Sequence, residues 1–458
     1  MEVLNPYDGS VVGEVALADE AALEAAVVRT VAAFEAMRRL APFERAAILD
    51  RALALVTARS GELARSIARE AGKPIRDARR EAERCAFTLT AARDEARRIG
   101  GEVLSLDAFP PGRGHLGLTR RFPLGPALGI SPWNFPLNLV AHKIAPALAA
   151  GCSILVKPAS ATPLTALRLG AIFDEAGAPP GAVTVVPCRR EIGDRLVADE
   201  RFRLLSFTGS PEVGWGMKAR AGRKRVVLEL GGNAAAIVHE DADLDDAVAR
   251  LVPAAFGYAG QSCISVQRVF VHRKVYARVA DALCDGARAL RVGDPLDEAT
   301  DVGPVIDEAA ALRLEAWIAQ ATAAGARVLC GGERCPGGRG TLLSPTLLAD
   351  VPPGLPVACR EVFGPIAVLA PYDDFHEALA RVNDSPYGLQ AGVFTRDLGR
   401  ALEAFERLEV GGVLVNQVPT WRIDHMPYGG VKASGLGREG PHYAIDDYTE
   451  PRLLVLRF

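Results

Sequence analysis

The middle of the chain, from Gly129 to Val238, alternates apolar strand-like runs with helical stretches, and this alternation constrains the fold more than any other feature. The candidate strands are short runs rich in apolar residues: Ser153–Lys157, Ala182–Val186, Leu204–Phe207, Val226–Leu230 and Ala235–Val238. Helical stretches such as Thr165–Ala176 lie between them. Strands and helices in alternation predict an α/β fold with a parallel, doubly wound sheet.

The regions on either side of this alternation have patterns of their own. Residues 19–100 are rich in Ala, Arg, Glu and Leu and predict a run of amphipathic helices whose many charges form solvated faces. Residues 239–435 predict a second α/β region, with helices near 243–256, 274–290 and 307–324.

Composition excludes several classes of protein. The length of 458 residues allows two large domains or about three smaller ones. A formal charge of −3 does not indicate the positive surface that binding to nucleic acid or an anionic membrane requires. The eight cysteines are scattered without a CxxC pair, so we expect reduced thiols in a cytoplasmic protein and no metal site. The first residues lack the basic and apolar regions of a signal peptide, and none is expected.

Three residues are candidates for catalysis. Cys263 lies in the small, polar run Gly260–Ser265; a solvated thiol has a pKa of about 8.5, and a lone cysteine is more often a buried structural thiol than a nucleophile. Glu229 ends a β-branched apolar run before two glycines, where burial would make it a useful general base. Asn134 lies between two prolines, where its amide either steadies an oxyanion or caps a turn.

Two motifs are compatible with a nucleotide. Phe207–Gly214 follows a strand and opens a helix, and its glycines Gly209 and Gly214 either admit a phosphate to the helix N-terminus or simply make the turn. Lys157 also ends a strand. It either reaches ribose hydroxyls at the carboxyl edge of the sheet or is a plain surface lysine.

Taken together, these pieces resemble the aldehyde dehydrogenase superfamily over nearly the whole chain. The 34-residue step from Glu229 to Cys263 is similar to that of the family. The ordered set of motifs carries the resemblance: Pro132–Pro136, Lys157–Ala159, Phe207–Ser210, Glu229–Gly232, Gly260–Cys263, Glu361–Pro365 and Pro427–Lys432.

The resemblance implies an oxidation in two stages. Cys263 would add to the aldehyde as the thiolate, with the oxyanion held by Asn134 and the Cys263 backbone N–H. Hydride transfer to a nicotinamide would leave a thioester, which water activated by Glu229 would hydrolyse to the acid. Lys143 and Glu439 would form a proton path behind Glu229.

The resemblance also implies NAD or NADP as cofactor. Glu361 and Phe363 would position the nicotinamide riboside, and Ser210 the pyrophosphate. The other cofactor-binding positions implied are Ser131, Pro132, Trp133, Lys157, Gly209, Gly214 and Leu230.

One departure from the family concerns the choice between the two nucleotides. Ser160 stands where many NAD-preferring relatives carry a glutamate that bonds the adenosine ribose. Arg189 and Arg190 follow a strand of the same sheet and either supply cations to a 2′-phosphate or remain solvated. We therefore predict that NADP is accepted and preferred.

The predicted substrate is a small hydroxylated or anionic aldehyde. The motifs look closest to the branch that acts on lactaldehyde, glyceraldehyde 3-phosphate or phosphonoaldehydes. A cation opposite a carboxylate, phosphate or phosphonate would be a charge-assisted contact, although each such residue is otherwise a surface salt-bridge partner. The candidate substrate-binding residues are Arg93, His142, Ser262, Arg422 and His425.

Family similarity also divides the chain into domains. We expect a dinucleotide-binding domain over 1–106 and 124–231 and a catalytic domain over 232–435. A small β-ribbon oligomerisation arm and a C-terminal strand would occupy 107–123 and 436–458. The ribbon and the strand predict a homodimer or homotetramer.

Two other functions compete with hydrolytic oxidation. Coenzyme-A-acylating relatives usually lack a glutamate at position 229, because a thiol resolves their thioester. A binding or structural protein on an inactivated enzyme scaffold would not need Cys263, Glu229, Asn134 and Lys157 together. Both alternatives are therefore disfavoured by the residues present.

Overall fold

The first of two central sheets carries the expected parallel arrangement. The structure, a computed structural model, describes residues 1–458. The strands of this first sheet, in spatial order, are Gly435–Leu436, Arg225–Glu229, Leu204–Thr208, Ala127–Ile130, Ile154–Lys157 and Val183–Val185. All are parallel except the edge strand Gly435–Leu436. The α/β prediction is confirmed, and a strand not predicted, Ala127–Ile130, lies near its centre.

Helices cover both faces of the first sheet. Successive strand residues such as Leu204 and Leu205 point into two different cores, because side chains alternate along a strand. The helices of this domain are Glu20–Met37, Pro42–Ala58, Ser60–Ala71, Ile75–Ala96, Asn138–Ala150, Pro163–Glu175, Arg190–Gly193, Arg195–Ala198, Pro211–Arg220 and Pro441–Tyr448. The predicted helical run in residues 19–100 is therefore observed.

A second sheet of seven strands forms the other domain. In spatial order its strands are Arg327–Cys330, Thr346–Ala349, Ile366–Tyr372, Arg268–His272, Ala235–Val238, Gln390–Phe394 and Gly412–Val415. Its helices are Leu244–Phe256, Tyr276–Ala289, Glu308–Ala323, Pro356–Cys359, Phe375–Asn383 and Leu398–Arg407. Ala235–Val238, predicted in series with the first sheet, pairs instead with Arg268–His272 and Gln390–Phe394.

A three-stranded antiparallel arm projects from the first domain. It is built from Thr449–Arg457, His115–Pro123 and Val103–Leu104, so the predicted ribbon and terminal strand pair with each other. Two-stranded ribbons complete the sheets: Glu2–Leu4 with Val11–Glu14, and Tyr387–Gly388 with Val431–Lys432. No helix in the structure combines the length and apolar character that crossing a membrane requires.

The expected boundary of the arm at residue 436 is wrong. The strand Gly435–Leu436 pairs with Arg225–Glu229 of the first sheet. The helix Pro441–Tyr448 buries Ala444 and Ile445 in the core of the first domain. Apolar contacts with that core therefore place residues up to 448 in the first domain, and only the last strand extends into the arm.

Candidate active site

Residues from both domains meet in a cavity of about 350 Å³ at the carboxyl ends of the strands of the first sheet. Such an edge is where open α/β folds bind their ligands. The lining residues are Pro132, Trp133, Asn134, Leu139, Phe207, Thr208, Gly209, Ser210, Glu229, Leu230, Gly231, Cys263, Glu361 and Phe363. The structure thus brings together the three candidate catalytic residues and most of the candidate cofactor residues.

A tight turn carries Cys263 into this cavity. After the helix Leu244–Phe256 the backbone takes left-handed conformations, with φ of 51° at Tyr258, 52° at Ala259 and 66° at Gly260. Left-handed non-glycine residues cost about 1–3 kcal/mol each and persist where the surroundings fix them. Here the side-chain amide of Gln261 fixes the turn by donating a hydrogen bond to the Pro304 carbonyl oxygen (3.2 Å). A Cβ at Gly260 would lie 2.1 Å from the Gly364 carbonyl oxygen, so only glycine fits.

Asn134 lies directly against the Cys263 loop. It is buried in the middle of the loop that leads from strand Ala127–Ile130 to helix Asn138–Ala150. Its Nδ2 donates to the Gln261 carbonyl oxygen at 3.0 Å. One N–H of the amide therefore links the two domains, and the other is left for the cavity.

A buried ion pair beneath these two loops was not predicted. Glu81 accepts the backbone N–H groups of Leu137 (2.9 Å) and Asn138 (3.2 Å) and pairs with Lys73. The Lys73 ammonium lies 3.5 Å from the ring centroid of Phe135 and also faces the Tyr258 ring. The charges of residues 19–100, expected to form solvated faces, therefore include two that pair with each other inside the protein.

Glu229 stands in the cavity without a hydrogen-bond partner. It ends the strand Arg225–Glu229, is only 4% exposed, and neither carboxyl oxygen is bonded. Burial raises its pKa well above the usual range, the nearby Glu439 raises it further, and Arg422 and Lys143 oppose the rise. A carboxyl group whose pKa is raised in this way is suited to general base catalysis near neutral pH.

The two residues expected to relay protons lie behind Glu229. The Lys143 ammonium is 3.9 Å from Glu439 Oε1 and donates to the hydroxyls of Ser206 (3.1 Å) and Thr208 (2.7 Å). Burial lowers the pKa of Lys143, and Glu439 and Glu229 counteract this. Lys143 and Glu439 are thus in contact range of one another.

His142 and Arg422 belong to one buried polar network. His142 Nε2 is 2.9 Å from an oxygen of Asp424, a carboxylate that also accepts two hydrogen bonds from Arg84. Arg422 donates to Glu439 (3.1 Å), and its Nε has no partner although its side chain is only 4% exposed. Burial lowers the pKa of His142, and the Arg422 charge adds to this effect.

A second cavity, of about 780 Å³, opens on the other side of Arg422. Its lining residues are Arg84, Phe87, Thr90, Ala91, Asp94, Glu95, Arg98, Arg422, Ile423, Asp424, His425, His442 and Tyr443. Arg422 also lies over the Tyr428 ring, 3.7 Å from its centroid, and the Tyr428 hydroxyl is 3.0 Å from Cys263 Sγ. These contacts connect the second cavity to Cys263.

Arg93 does not reach either cavity, so its predicted role in binding substrate is corrected. It pairs with Asp50 (2.9 Å) and Asp94 (2.9 Å). Arg84, on another face of the same helix, and Arg98, just after the end of that helix, line the second cavity instead. Ser262 is half-buried beside Cys263, with its hydroxyl 3.5 Å from the Ile264 nitrogen.

The residues expected to hold the nicotinamide end of the cofactor form a cradle. The Glu361 carboxylate accepts the Gly232 N–H at 3.1 Å, and burial raises the pKa of Glu361 to about 7. A Cβ at Gly231 would lie 2.3 Å from Glu361 Oε2. Phe363, with φ of 49°, packs edge-to-face against Trp133 at 5.4 Å. A carboxylate and aromatic faces around open space fit a nicotinamide riboside.

Glycines shape the phosphate end of the same cavity. A Cβ at Gly214 would lie 2.4 Å from Leu230, so the helix Pro211–Arg220 packs closely on the strand edge. Gly209 and Ser210 line the cavity at the N-terminus of that helix. An anion is favoured there by the helix dipole and free N–H groups.

The remaining cofactor candidates lie outside this cavity. Lys157 ends its strand beside the buried Ser131, whose N–H donates to the Lys157 carbonyl, and burial lowers the Lys157 pKa. Arg189 and Arg190 are exposed and make no side-chain hydrogen bond or ion pair. Ser160 is exposed and lines a separate cavity of about 330 Å³.

Comparison with known proteins gives likenesses over the whole chain. The model of the aldehyde dehydrogenase family matches residues 1–454. The 3-sulfolactaldehyde dehydrogenase of Priestia aryabhattai is 43% identical over 458 residues, which cover 100% of this chain and 94% of that protein. The crystal structure of aldehyde dehydrogenase 21 from Physcomitrella patens, in complex with the reaction product succinate, has a TM-score of 0.97 and 45% identity, covering 100% of this chain and 95% of that one. Glyceraldehyde-3-phosphate dehydrogenase GapN from Methanocaldococcus jannaschii, complexed with NADP, has a TM-score of 0.95 and 36% identity, covering 100% and 99%.

Proposed function

This chain belongs to the aldehyde dehydrogenase family, and we propose that it oxidises a small anionic aldehyde to the carboxylic acid, with Cys263 as nucleophile and Glu229 as general base. One observation carries the proposal: Cys263, Glu229 and Asn134 line the same cavity as the cradle around Glu361. The nucleophile, the base and the oxyanion donor are therefore available to one substrate carbon beside one bound nicotinamide.

In the first stage the Cys263 sulfur attacks the aldehyde carbon. The carbonyl oxygen becomes an oxyanion that the free N–H of the Asn134 amide and the Cys263 backbone N–H stabilise. NAD or NADP, when bound, supplies the hydride acceptor. Loss of the hydride leaves a thioester on Cys263.

In the second stage Glu229 takes a proton from water, which attacks the thioester and releases the acid and the Cys263 thiolate. The contact of Glu439 with Lys143 offers a route by which the proton leaves Glu229. The two unpartnered oxygens of Glu229 favour water over coenzyme A as the acceptor. Product analysis with coenzyme A present tests this: the acid is expected, and acyl-coenzyme A would support the acylating alternative.

Charge around Arg422 supports an anionic substrate. The buried network contains three cations, Arg84, Lys143 and Arg422, against two carboxylates, Asp424 and Glu439. The Nε–H group of Arg422 has no hydrogen-bond partner in this network. A carboxylate, sulfonate, phosphate or phosphonate on the aldehyde would accept a charge-assisted hydrogen bond from it. The relative named for sulfolactaldehyde and the neighbour solved with succinate are consistent with this class.

A matched pair of aldehydes tests the substrate class. We expect succinic semialdehyde to exceed butanal in kcat/KM, and Arg422→Met to remove most of that ratio. The ratio is informative because Arg422 also bonds Glu439, and damage to that contact would slow both aldehydes alike. Long alkyl or aromatic aldehydes as the best substrates would contradict the proposal.

For the cofactor, we propose that NADP is accepted and preferred. Ser160 brings no carboxylate toward the adenosine ribose, and Arg189 and Arg190 are exposed without partners near Lys157. The Arg190 charge contributes to lowering the Lys157 pKa, which indicates proximity. Replacing both arginines by alanine should lower the ratio of kcat/KM for NADP to that for NAD, and an unchanged ratio would contradict their role.

For the assembly, we propose a homodimer or a homotetramer built through the arm. The strand Thr449–Arg457 is an edge strand with Leu453, Leu454, Val455 and Leu456 all exposed. A long apolar edge of this kind pairs readily with another chain. Sedimentation of the full chain should give a dimer or larger, and Leu454→Lys should weaken it; a monomer would contradict the proposal.

A further inference from the structure

Tyr428 is the hydrogen-bond partner of the Cys263 sulfur, and the two-stage mechanism above does not use it. Its hydroxyl oxygen lies 3.0 Å from Cys263 Sγ, and the side chain is buried. Two backbone hydrogen bonds with Glu439, one in each direction, hold the residue at this position. The backbone of the fold therefore fixes Tyr428 in the position where its hydroxyl contacts Cys263.

The surroundings of Tyr428 make its hydroxyl a strong donor. The Arg422 guanidinium lies 3.7 Å from the ring centroid, and a cation over the ring face draws electron density from the phenol. Ile264 and Leu389 form an apolar cluster with the ring. A hydrogen bond in such a low-dielectric setting is stronger than the same bond in water.

Cys263 needs such a donor. The pKa of its thiol is raised to about 12, chiefly by burial, and Glu361 of the same domain and Glu229 of the first domain act in the same direction. The Tyr428 hydrogen bond is the largest effect in the opposite direction, and Arg422 adds to it. Burial also raises the pKa of Tyr428, so its proton stays on the oxygen and the hydroxyl is the donor.

We propose that Tyr428 is a further catalytic residue, whose hydroxyl donates a hydrogen bond to the Cys263 sulfur and so favours the thiolate that attacks the aldehyde. The thiol proton leaves to water, and Tyr428 keeps its own proton throughout. No bond to Tyr428 forms or breaks. The inference rests on the proposed function only in taking Cys263 as the nucleophile.

Alkylation of the cofactor-free protein tests the proposal without any turnover. Wild type and Tyr428→Phe are treated with iodoacetamide at a series of pH values, and modification of Cys263 is followed by peptide mass spectrometry. Loss of the donor lowers the thiolate fraction, partly offset by the higher nucleophilicity of the less stabilised sulfur, so alkylation should slow by about three- to tenfold at each pH. An equal or faster rate in the folded variant would overturn the proposal.

Controls separate this result from a loss of structure. Tyr372→Phe removes another buried tyrosine hydroxyl of the same domain, one that contacts His239 at 2.8 Å, and should leave Cys263 alkylation unchanged. Protection of the fully buried Cys85 reports that each variant is folded.

Should Tyr428→Phe not fold, Arg422→Met provides a second test. This variant keeps the Tyr428 hydroxyl but removes the cation over its ring, so a smaller slowing of Cys263 alkylation is expected. No slowing would count against the proposal. If Tyr428→Phe slows alkylation but the wild-type protein oxidises no aldehyde, the proposed function is contradicted while the role of Tyr428 toward Cys263 is supported.

Discussion

The side-chain amide of Asn134 and the backbone carbonyl of Gln261 lie 3.0 Å apart and form a hydrogen bond between the two domains. This bond holds the proposed oxyanion donor next to the loop that carries Cys263. The proposed stabilisation of the oxyanion and the contact between the domains therefore depend on the same side chain.

Asn134→Ala should lower kcat by about 100- to 1,000-fold, the cost of removing one oxyanion donor. The proposed cofactor contacts of Glu361 and Phe363 do not involve Asn134, so the Kd of NADP should change little. Stopped-flow kinetics and fluorescence titration of NADP give the two values. A variant with nearly full kcat would show that Asn134 only joins the domains.

The rate of hydrolysis should fall with decreasing pH sooner than an ordinary carboxylate would require. In the proposed mechanism Glu229 acts as the carboxylate, and burial raises its pKa well above the usual range. As pH falls through that raised pKa, Glu229 is protonated and loses its function as base. The pH profile of kcat under hydrolysis-limited conditions measures this. Full activity down to the pKa of a solvated glutamate, roughly 4.3, would contradict the burial argument.

Lys73→Met should destabilise the protein by about 3–5 kcal/mol, because it leaves Glu81 buried without its cation. Adding Glu81→Gln should restore part of the loss, since the neutral amide no longer needs a counter-charge. Thermal or urea denaturation of the three proteins measures the free energies of unfolding. If the double variant has a lower free energy of unfolding than Lys73→Met alone, Glu81 contributes to stability mainly through contacts other than its ion pair with Lys73.

Gly231→Ala should weaken NADP binding by about tenfold, because its methyl group would lie 2.3 Å from Glu361 Oε2 and displace that carboxylate. Gly216→Ala is the matched control, since a Cβ there meets nothing within 4 Å. Isothermal titration of NADP compares them. Equal affinities for the two variants would remove Glu361 from the cofactor site.

The strands were predictable because a buried parallel strand is a continuous apolar run. Leu204–Thr208 and Ile154–Lys157 lie within one residue of their predicted bounds. Ala127–Ile130 was missed because it has four residues, one of them glycine, after a prolyl turn. Ala235–Val238 continues the alternating pattern of the first sheet but pairs in the second, because local pattern does not reveal which strand is the neighbour.

In the candidate site, too, residues in local motifs were predictable and residues defined by long-range contacts were not. Cys263, Glu229 and Asn134 stand in recognisable local motifs, whereas Lys73 and Glu81 look like any charges on an amphipathic helix. Arg93 was wrongly assigned because successive helix positions differ by about 100° in direction, and a helix expected near the substrate does not say which arginine faces it. The bond between Tyr428 and Cys263 spans 165 residues and has no local signature.

In the proposed mechanism Cys263 carries the acyl group and Glu229 activates the water that releases it. Glu229→Gln mixed with NADP and succinic semialdehyde should give about one equivalent of NADPH per active site and then stop, since the amide cannot activate water. Peptide mass spectrometry of the quenched protein should find the succinyl group on Cys263. Continued turnover at the wild-type rate, or an acyl group on a residue other than Cys263, would contradict the account.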